Sequence, residues 1–272
     1  MITALLSGKL TGSAALDYLL ICIVAMGVSG LTLFSGFGLG TLLLPAFVLF
    51  FPVQAAVAMT AVVHLANNLF KLFLIGNKAD TTTLLRFGLP ALAAGFAGAW
   101  LLLSLADLEP VYSYELWGRH MEVYPVSLVI GLLMGFFSVL ELYSPLNRLQ
   151  ISPAYLPLGG VLSGFFGGLS GHQGAFRSAF LLKSGLDKEA FVGTGVVTAV
   201  LVDVSRITVY SGMVHTPEIR ENLPLIAAAM LAAFAGAFIG RRVLSKITFR
   251  TVQLIVGIML LLVSILLILG VV

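Results

Sequence analysis

The chain has 272 residues, of which 59% are hydrophobic and only 10% charged, and its mean hydropathy is +1.08. A soluble domain carries about a quarter charged residues, so this composition excludes an ordinary soluble globular protein and predicts an all-α polytopic membrane protein. The formal charge of +3 is scattered, without the basic tract of a nucleic-acid binder. The apolar runs lack the alternation of a membrane barrel. Cys22 is the single cysteine and lies in an apolar run, so no internal disulfide forms and the residue reads as a buried thiol. Lys9 is the only positive lead at the N-terminus, and no small-x-small site follows the first apolar run, which argues against a cleaved signal peptide.

Residues 17–36 form a first apolar arm, broken at Ser35-Gly36-Phe37-Gly38. A second arm runs to Phe51 and is too short to span a bilayer alone, so 17–51 reads as a broken hairpin. Helices are predicted at 52–75, 82–105 and 124–142, with a polar loop at 106–123. A linker with Pro145, Arg148 and Pro153 leads to a second broken hairpin, 154–184, interrupted at Ser170-Gly171-His172-Gln173-Gly174. Helices at 187–213, 221–241 and 250–271 complete the chain.

The plan repeats. Ser29-Gly30 matches Ser163-Gly164, Ser35-Gly36 matches Ser170-Gly171, Thr60 matches Thr194, and Leu89-Pro90 matches Leu223-Pro224. Phe96-Ala97-Gly98-Ala99 recurs as Phe234-Ala235-Gly236-Ala237, and all these pairs lie 134 to 138 residues apart. Residues 1–148 and 149–272 are therefore predicted repeats, each a broken hairpin plus three transmembrane helices. The loop 241–250 holds Arg241, Arg242, Lys246 and Arg250 without an acid and is expected on the cytoplasmic side. Its counterpart, 106–123, is poor in Lys and Arg and is expected outside, which makes the repeats inverted. Two half-depth hairpins would then meet near the midplane at the repeat interface.

Charged groups inside a bilayer are costly and mark a pathway or a pair. The first half offers His64, Asn67, Asn68 and Lys71; the second offers Asp203 and Arg206, matching Asn68 and Lys71. Asp203 and Arg206, i and i+3 on one helix, either neutralise one another or serve as a proton carrier and an anion ligand or gate. Lys71, near its helix end, is expected to reach for the interface. His172 either donates to an anion or satisfies carbonyls freed by the break. Arg177 either presents its planar fork to an oxyanion or ties to backbone carbonyls of the other hairpin. Gly131, Gly135, Gly160, Gly164, Gly236 and Gly240 read as close helix packing.

Helix N-termini at Gly38–Thr41 and Gly174–Phe176 aim backbone N–H groups at any anion in the cavity. The expected binding set is Ser35, Gly36, Gly38, Gly40, Thr41, Ser170, Gly171, His172, Gln173, Gly174 and Arg177. Proton coupling or gating is expected of His172, Asp203, Arg206, His64, Asn68 and Lys71. One competing motif is Gly168-Leu169-Ser170-Gly171, a G-x-S-G sequence like that of rhomboid proteases, with His64 cast as the base. Against it, Ser35-Gly36 repeats the Ser-Gly pair in the other half, as a scaffold would. No G-x-x-x-x-G-K-[ST] loop is present, so ATP drive within this chain is not expected.

SGFGLGTLLLP at 35–45, SGFFGGLSGHQGAFRSAFLLKSG at 163–185 and FVGTGVVTAVLVDVSR at 191–206 together resemble the TauE/SafE family of sulfite and organosulfonate exporters. Members commonly carry G-x-G-G-G where this chain has Ser170-Gly171-His172-Gln173-Gly174. The resemblance implies a secondary transporter of the bacterial inner membrane, not an enzyme, that moves a small sulfur oxyanion outward with proton coupling. It implies no cofactor or metal, the lipid bilayer as surroundings and no nucleic-acid partner. An anion channel with the same site is the alternative.

Overall fold

The structure, a computed structural model, describes the backbone of residues 14–35, 39–116, 118–143, 151–243 and 249–272. Gly36 and Gly38 of the first break and the linker residues 144–150 lie outside the described residues. So do the centre of the basic loop at 241–250 and the side chain of Ser35.

In chain order the helices are α1 (Ala14–Ser35), α2 (Leu39–Val48), α3 (Val53–Ile75), α4 (Thr81–Ala106), α5 (Pro125–Leu142), α6 (Leu156–Ser170) and α7 (Gly174–Leu181). They continue with α8 (Lys188–Val209), the short α9 (Pro217–Arg220), α10 (Leu223–Val243) and α11 (Phe249–Ile268). Among the described residues, Val53–Lys78, Thr81–Ala106, Pro125–Leu142 and Lys188–Met213 are long and apolar enough to cross a membrane. The molecule is thus an all-α polytopic membrane protein.

Local chemistry sets the ends of these rods. Pro52 precedes α3 and Pro125 opens α5, positions where a missing N–H costs nothing. Asp187 caps α8 by accepting from the Ala190 N–H at 2.8 Å. α6 stops because Gly171 takes the left-handed conformation, φ 80°, with its N–H bonded to the Gly167 carbonyl at 2.8 Å.

Three segments depart from the expected plan. The polar loop 106–123 contains an antiparallel hairpin, β1 (Tyr112–Leu116) paired with β2 (Arg119–Val123). Gly118, with φ 72°, lies in its turn. The hairpin is fastened to the end of α11, where the Tyr114 hydroxyl donates to the Leu269 carbonyl. The helix expected at 82–105 contains a π-helical turn, Leu84–Gly88, near its start. The helix expected at 187–213 ends as an α-helix at Val209 and tightens into a 3₁₀ turn, Tyr210–His215.

Asp80 starts the α4 rod by accepting from the Thr83 N–H at 2.7 Å, and its own N–H donates to Thr194 Oγ1 of α8 at 2.9 Å. The Thr83 hydroxyl and N–H hold the Asp80 carboxyl below the usual carboxylate range. The cap's contribution is therefore present above the carboxyl's unfolded pKa and is lost as pH falls through the lower, folded value. Asp80→Ala is expected to cost about 1 kcal/mol, read as a lower unfolding midpoint at neutral pH whose gap from wild type closes in acid.

The helices pack in pairs: α4 on α6, α1 on α10, α5 on α11, α3 on α8, and α8 again on α4. α2 is buried along its whole length and packs on α1 and α3. The α5–α11 contact is antiparallel and reciprocal. Ser138 Oγ donates to the Gly257 carbonyl and Ser264 Oγ to the Gly131 carbonyl, each at 2.7 Å. Gly131, Gly135, Gly160, Gly164 and Gly236 all face a neighbouring helix that a Cβ would strike. Cys22 is only half-buried, short of the burial expected of it.

Candidate functional site

The second break is held by its own backbone. Ser163 Oγ donates to the Gln173 carbonyl at 3.0 Å, and Tyr210 of the 3₁₀ turn donates its hydroxyl to the Gly168 carbonyl. Gln173 then precedes α7, whose first helical bond runs from the Arg177 N–H to the Gln173 carbonyl. The two hairpins meet here: a Cβ on Gly40, at the start of α2, would lie 3.1 Å from the Gly171 carbonyl. Gly171 also lies against the Arg206 guanidinium, 2.9 Å from Nη1 to an ideal Cβ position. Its φ and this approach both require glycine.

Asp203 is the hub of the polar interior. Its Oδ1 accepts from Arg206 Nε at 3.1 Å, with Nη2 at 2.9 Å. Its Oδ2 takes His64 Nδ1 at 2.6 Å and Asn68 Nδ2 at 2.9 Å, both across from α3. Asp203 and Arg206 therefore neutralise one another as the i, i+3 spacing allows, but the carboxylate is also shared between the two halves of the chain. All four side chains are buried, Asp203 and Arg206 completely. Beside them, Ser29 of α1 donates to Asn67 Oδ1 at 2.9 Å, tying α1 to α3.

The electrostatic field extends further. Asp203 acts on His64 and Arg177, Arg206 on His64 and His172, Arg177 on Lys71, and Lys71 on His64. Lys71 does not reach for the interface: it is 5% exposed. The helix end beyond it is covered, because Gly193 of α8 is pressed against Ile75, Lys78 and Ala79. Arg177 lays its Nε and Cδ along Gly195 of α8.

His172 stacks on Phe137 with ring centroids 4.9 Å apart, and its Nδ1 lies 2.9 Å from Ser170 Oγ. The His172 Nε2, both amide atoms of Gln173 and Arg206 Nη1 are buried with no hydrogen-bond partner. Buried polar atoms are nearly always paired, so this set marks a place for a polar occupant. Of the expected binding residues, Gly40, Thr41, Ser170, Gly171, His172, Gln173 and Gly174 are all buried at the breaks. Ser170 Oγ also donates to the Phe166 carbonyl at 3.1 Å, and the His64 proposed as its base is bonded instead to Asp203 and Asn68.

The sequence reading passed over two buried acids, Glu141 in the last turn of α5 and Asp17 in the first turn of α1. A lone acid within an apolar run was the available signal. It also passed over Thr198, whose buried hydroxyl has no hydrogen-bond partner and lies beside Gly88 at the end of the π-helical turn.

A charged cluster set against an interrupted helix is the arrangement in which transporters form their substrate and ion sites. A protein-family model described as "Sulfite exporter TauE/SafE" matches residues 19–267. The chain belongs to that family, which makes it a multi-pass membrane transport protein of the sulfite-exporter type. A search of curated proteins finds none that matches it.

Proposed function

We propose that this protein is a secondary carrier that exports a small sulfur oxyanion, sulfite or an organosulfonate, across the bacterial inner membrane. The observation that carries the reading is the set of buried polar atoms without a hydrogen-bond partner at the second break, His172 Nε2, both amide atoms of Gln173 and Arg206 Nη1. Buried polar atoms are nearly always paired, and an oxyanion between the two breaks would pair these. The anion's oxygens would take Arg206 Nη1, the Gln173 amide, His172 and the N–H groups that begin α2 and α7, near Gly40, Thr41 and Gly174. Ser35, Gly36 and Gly38 would complete the first-half side.

The two halves would work as inverted repeats, residues 1–148 and 149–272. The helix pairing supports this: exchanging α1 with α6, α2 with α7, α3 with α8, α4 with α10 and α5 with α11 maps the main helix pairings, α4–α6 and α1–α10, α3–α8 and α5–α11, onto one another. The antiparallel, reciprocal serine bonds of α5 and α11 support it too. Alternating access would rock the halves about the shared carboxylate. His64 and Asp203 are the pair suited to carry the coupling proton, because one short hydrogen bond joins them across the repeat boundary. Lys71 and His172 would adjust the site's charge as the anion enters, since a guanidinium keeps its proton.

The test is thermal stabilisation of the purified protein by sulfite, sulfoacetate, taurine and a carboxylate analogue, with Arg177→Ala in parallel. A ligand at a hundred times its Kd stabilises the folded state by about 2.7 kcal/mol. Stabilisation by sulfur oxyanions that is lost in Arg177→Ala is the expected result; equal stabilisation of both proteins would remove Arg177 from the site. Counterflow in vesicles separates this carrier from a channel, because only a carrier shows trans-stimulation.

A further inference from the structure

At the second break His172 is held on two sides. Its ring lies 11° from parallel to that of Phe137 on α5, with centroids 4.9 Å apart, and its Nδ1 sits 2.9 Å from Ser170 Oγ. Both rings are buried, Phe137 at 2% and His172 at 1% exposure. The stack fixes the plane of the imidazole and the serine fixes its edge. Nε2 is left facing a place where it has no hydrogen-bond partner among the described residues.

The tautomer follows from the protons available. A hydroxyl has one proton to give. Ser170 Oγ gives its own to the Phe166 carbonyl at 3.1 Å, so towards His172 it can only accept, and Nδ1 carries the hydrogen. The imidazole is also hydrogen-bonded to the Ser170 backbone. α6 ends at Ser170, which leaves that carbonyl among the free acceptors of a last helical turn. Because Nε2 is unpartnered, this bond too falls on the Nδ1 side. A neutral imidazole with its hydrogen on Nδ1 has a bare lone pair at Nε2. The break therefore sets a buried acceptor among the unpartnered donors of Arg206 and Gln173.

A fully ionised oxyanion presents only lone pairs, and it would meet Nε2 as acceptor against acceptor. On the reading of the break as the anion site, we infer that it takes its oxyanion together with one proton, held between an anion oxygen and His172 Nε2. Hydrogensulfite brings that proton as its own O–H and binds with no net uptake. The sulfite dianion and the sulfonates lack it, so each binds with uptake of one H⁺ from water, which forms an N–H bond at Nε2 and leaves an imidazolium. The site thereby favours hydrogensulfite over sulfonates, increasingly as pH rises towards neutrality. The elements around the break bring few other titratable groups: Glu141 on α5, Arg177 on α7, Asp203 and Arg206 on α8 and Tyr210 in the 3₁₀ turn, with His64 and Lys71 beyond them on α3. α2 and α6 carry none, and Arg206 acts on the imidazole directly.

Calorimetric titration of the purified full chain with sulfite and with methanesulfonate, from mildly acid to mildly alkaline pH, tests this. Methanesulfonate is expected to bind about tenfold more weakly for each unit rise in pH, the slope of one linked proton. Its heat should also vary with the ionisation enthalpy of the buffer by one proton. Sulfite is expected to bind with level affinity below its own second ionisation and to weaken with the same slope above it. In His172→Gln, whose amide can donate, methanesulfonate should bind with an affinity level in pH. Level binding of methanesulfonate in wild type, or an unchanged slope in His172→Gln, would overturn the inference and leave the anion site standing; no binding of either anion would remove both. Histidine-selective ¹⁵N spectra of the wild type need no substitution. An imidazole already protonated at Nδ1 should gain a proton at Nε2 when methanesulfonate is added, and spectra in which none does would also overturn the inference.

Discussion

Asp203→Ala is expected to lose about 3–5 kcal/mol of stability, the cost of leaving a buried ion without its partner. The carboxylate accepts from Arg206, His64 and Asn68, and Asp203 and Arg206 are completely buried. Arg206→Ala should cost less, because His64 and Asn68 still satisfy Oδ2. The double variant Asp203→Ala/Arg206→Ala should regain much of the loss, so the two substitutions are expected to couple strongly rather than add. Unfolding midpoints of the four proteins in one detergent provide the cycle. Additive effects would mean that the pair is not held as the structure has it. The same variants also bear on function: with its internal carboxylate removed, Asp203→Ala leaves Arg206 without its counter-charge. Added sulfite should therefore stabilise it more than it stabilises wild type, while its proton-coupled transport should be lost.

Much of this core was legible in the sequence because it depends on one-dimensional features. The Ser-Gly breaks, the apolar arms and the matched offsets picked out Asn68 opposite Asp203, and the structure brings those two side chains to 2.9 Å. A helix-ending glycine is equally local, and Gly171 terminates α6 where the cluster of glycines suggested. Depth is a different matter. Lys71 lies four residues from the end of α3, which suggested an interfacial lysine. What decides its environment is the amino-terminal turn of α8 lying over the end of α3, a tertiary contact that periodicity does not encode. His64 was placed in the polar set, but its bond to Asp203 needed the antiparallel pairing of α3 with α8. The hairpin had a readable signal, since Met121 and Val123 alternate with exposed residues on β2 and Gly118 marks the turn. The polarity of the segment masked that alternation. The π-helical turn had none: Leu84–Gly88 is shaped where α4 meets α6, with the Phe87 carbonyl against Gly160.

That α4–α6 contact carries the second large effect. Gly160, Gly164 and Gly168 recur every fourth residue along one face of α6, and a Cβ on each would collide with the carbonyl of Phe87, Ala91 or Gly95 in turn. The two helices run parallel at backbone contact, the small-residue packing that membranes favour where no hydrophobic drive distinguishes lipid from side chain. Gly164→Leu is therefore expected to abolish folded, monodisperse protein. Gly164→Ala should cost at least the roughly 1–3 kcal/mol typical of overpacking, because the obstacle is backbone and cannot swing aside. Gly27→Leu is the control, since a Cβ there meets nothing within 4 Å, and it should express and melt like wild type. Size-exclusion profiles and unfolding midpoints of the three variants give the comparison; a Gly164→Leu protein with the wild-type profile would refute the packing. The contact also fixes function at a distance. α6 ends at the break, so its seat on α4 sets where Gly171 meets Arg206 and where α7 begins. A Gly164→Ala protein that still folds is expected to bind the sulfur oxyanion more weakly than wild type, although residue 164 touches none of the groups that would hold it.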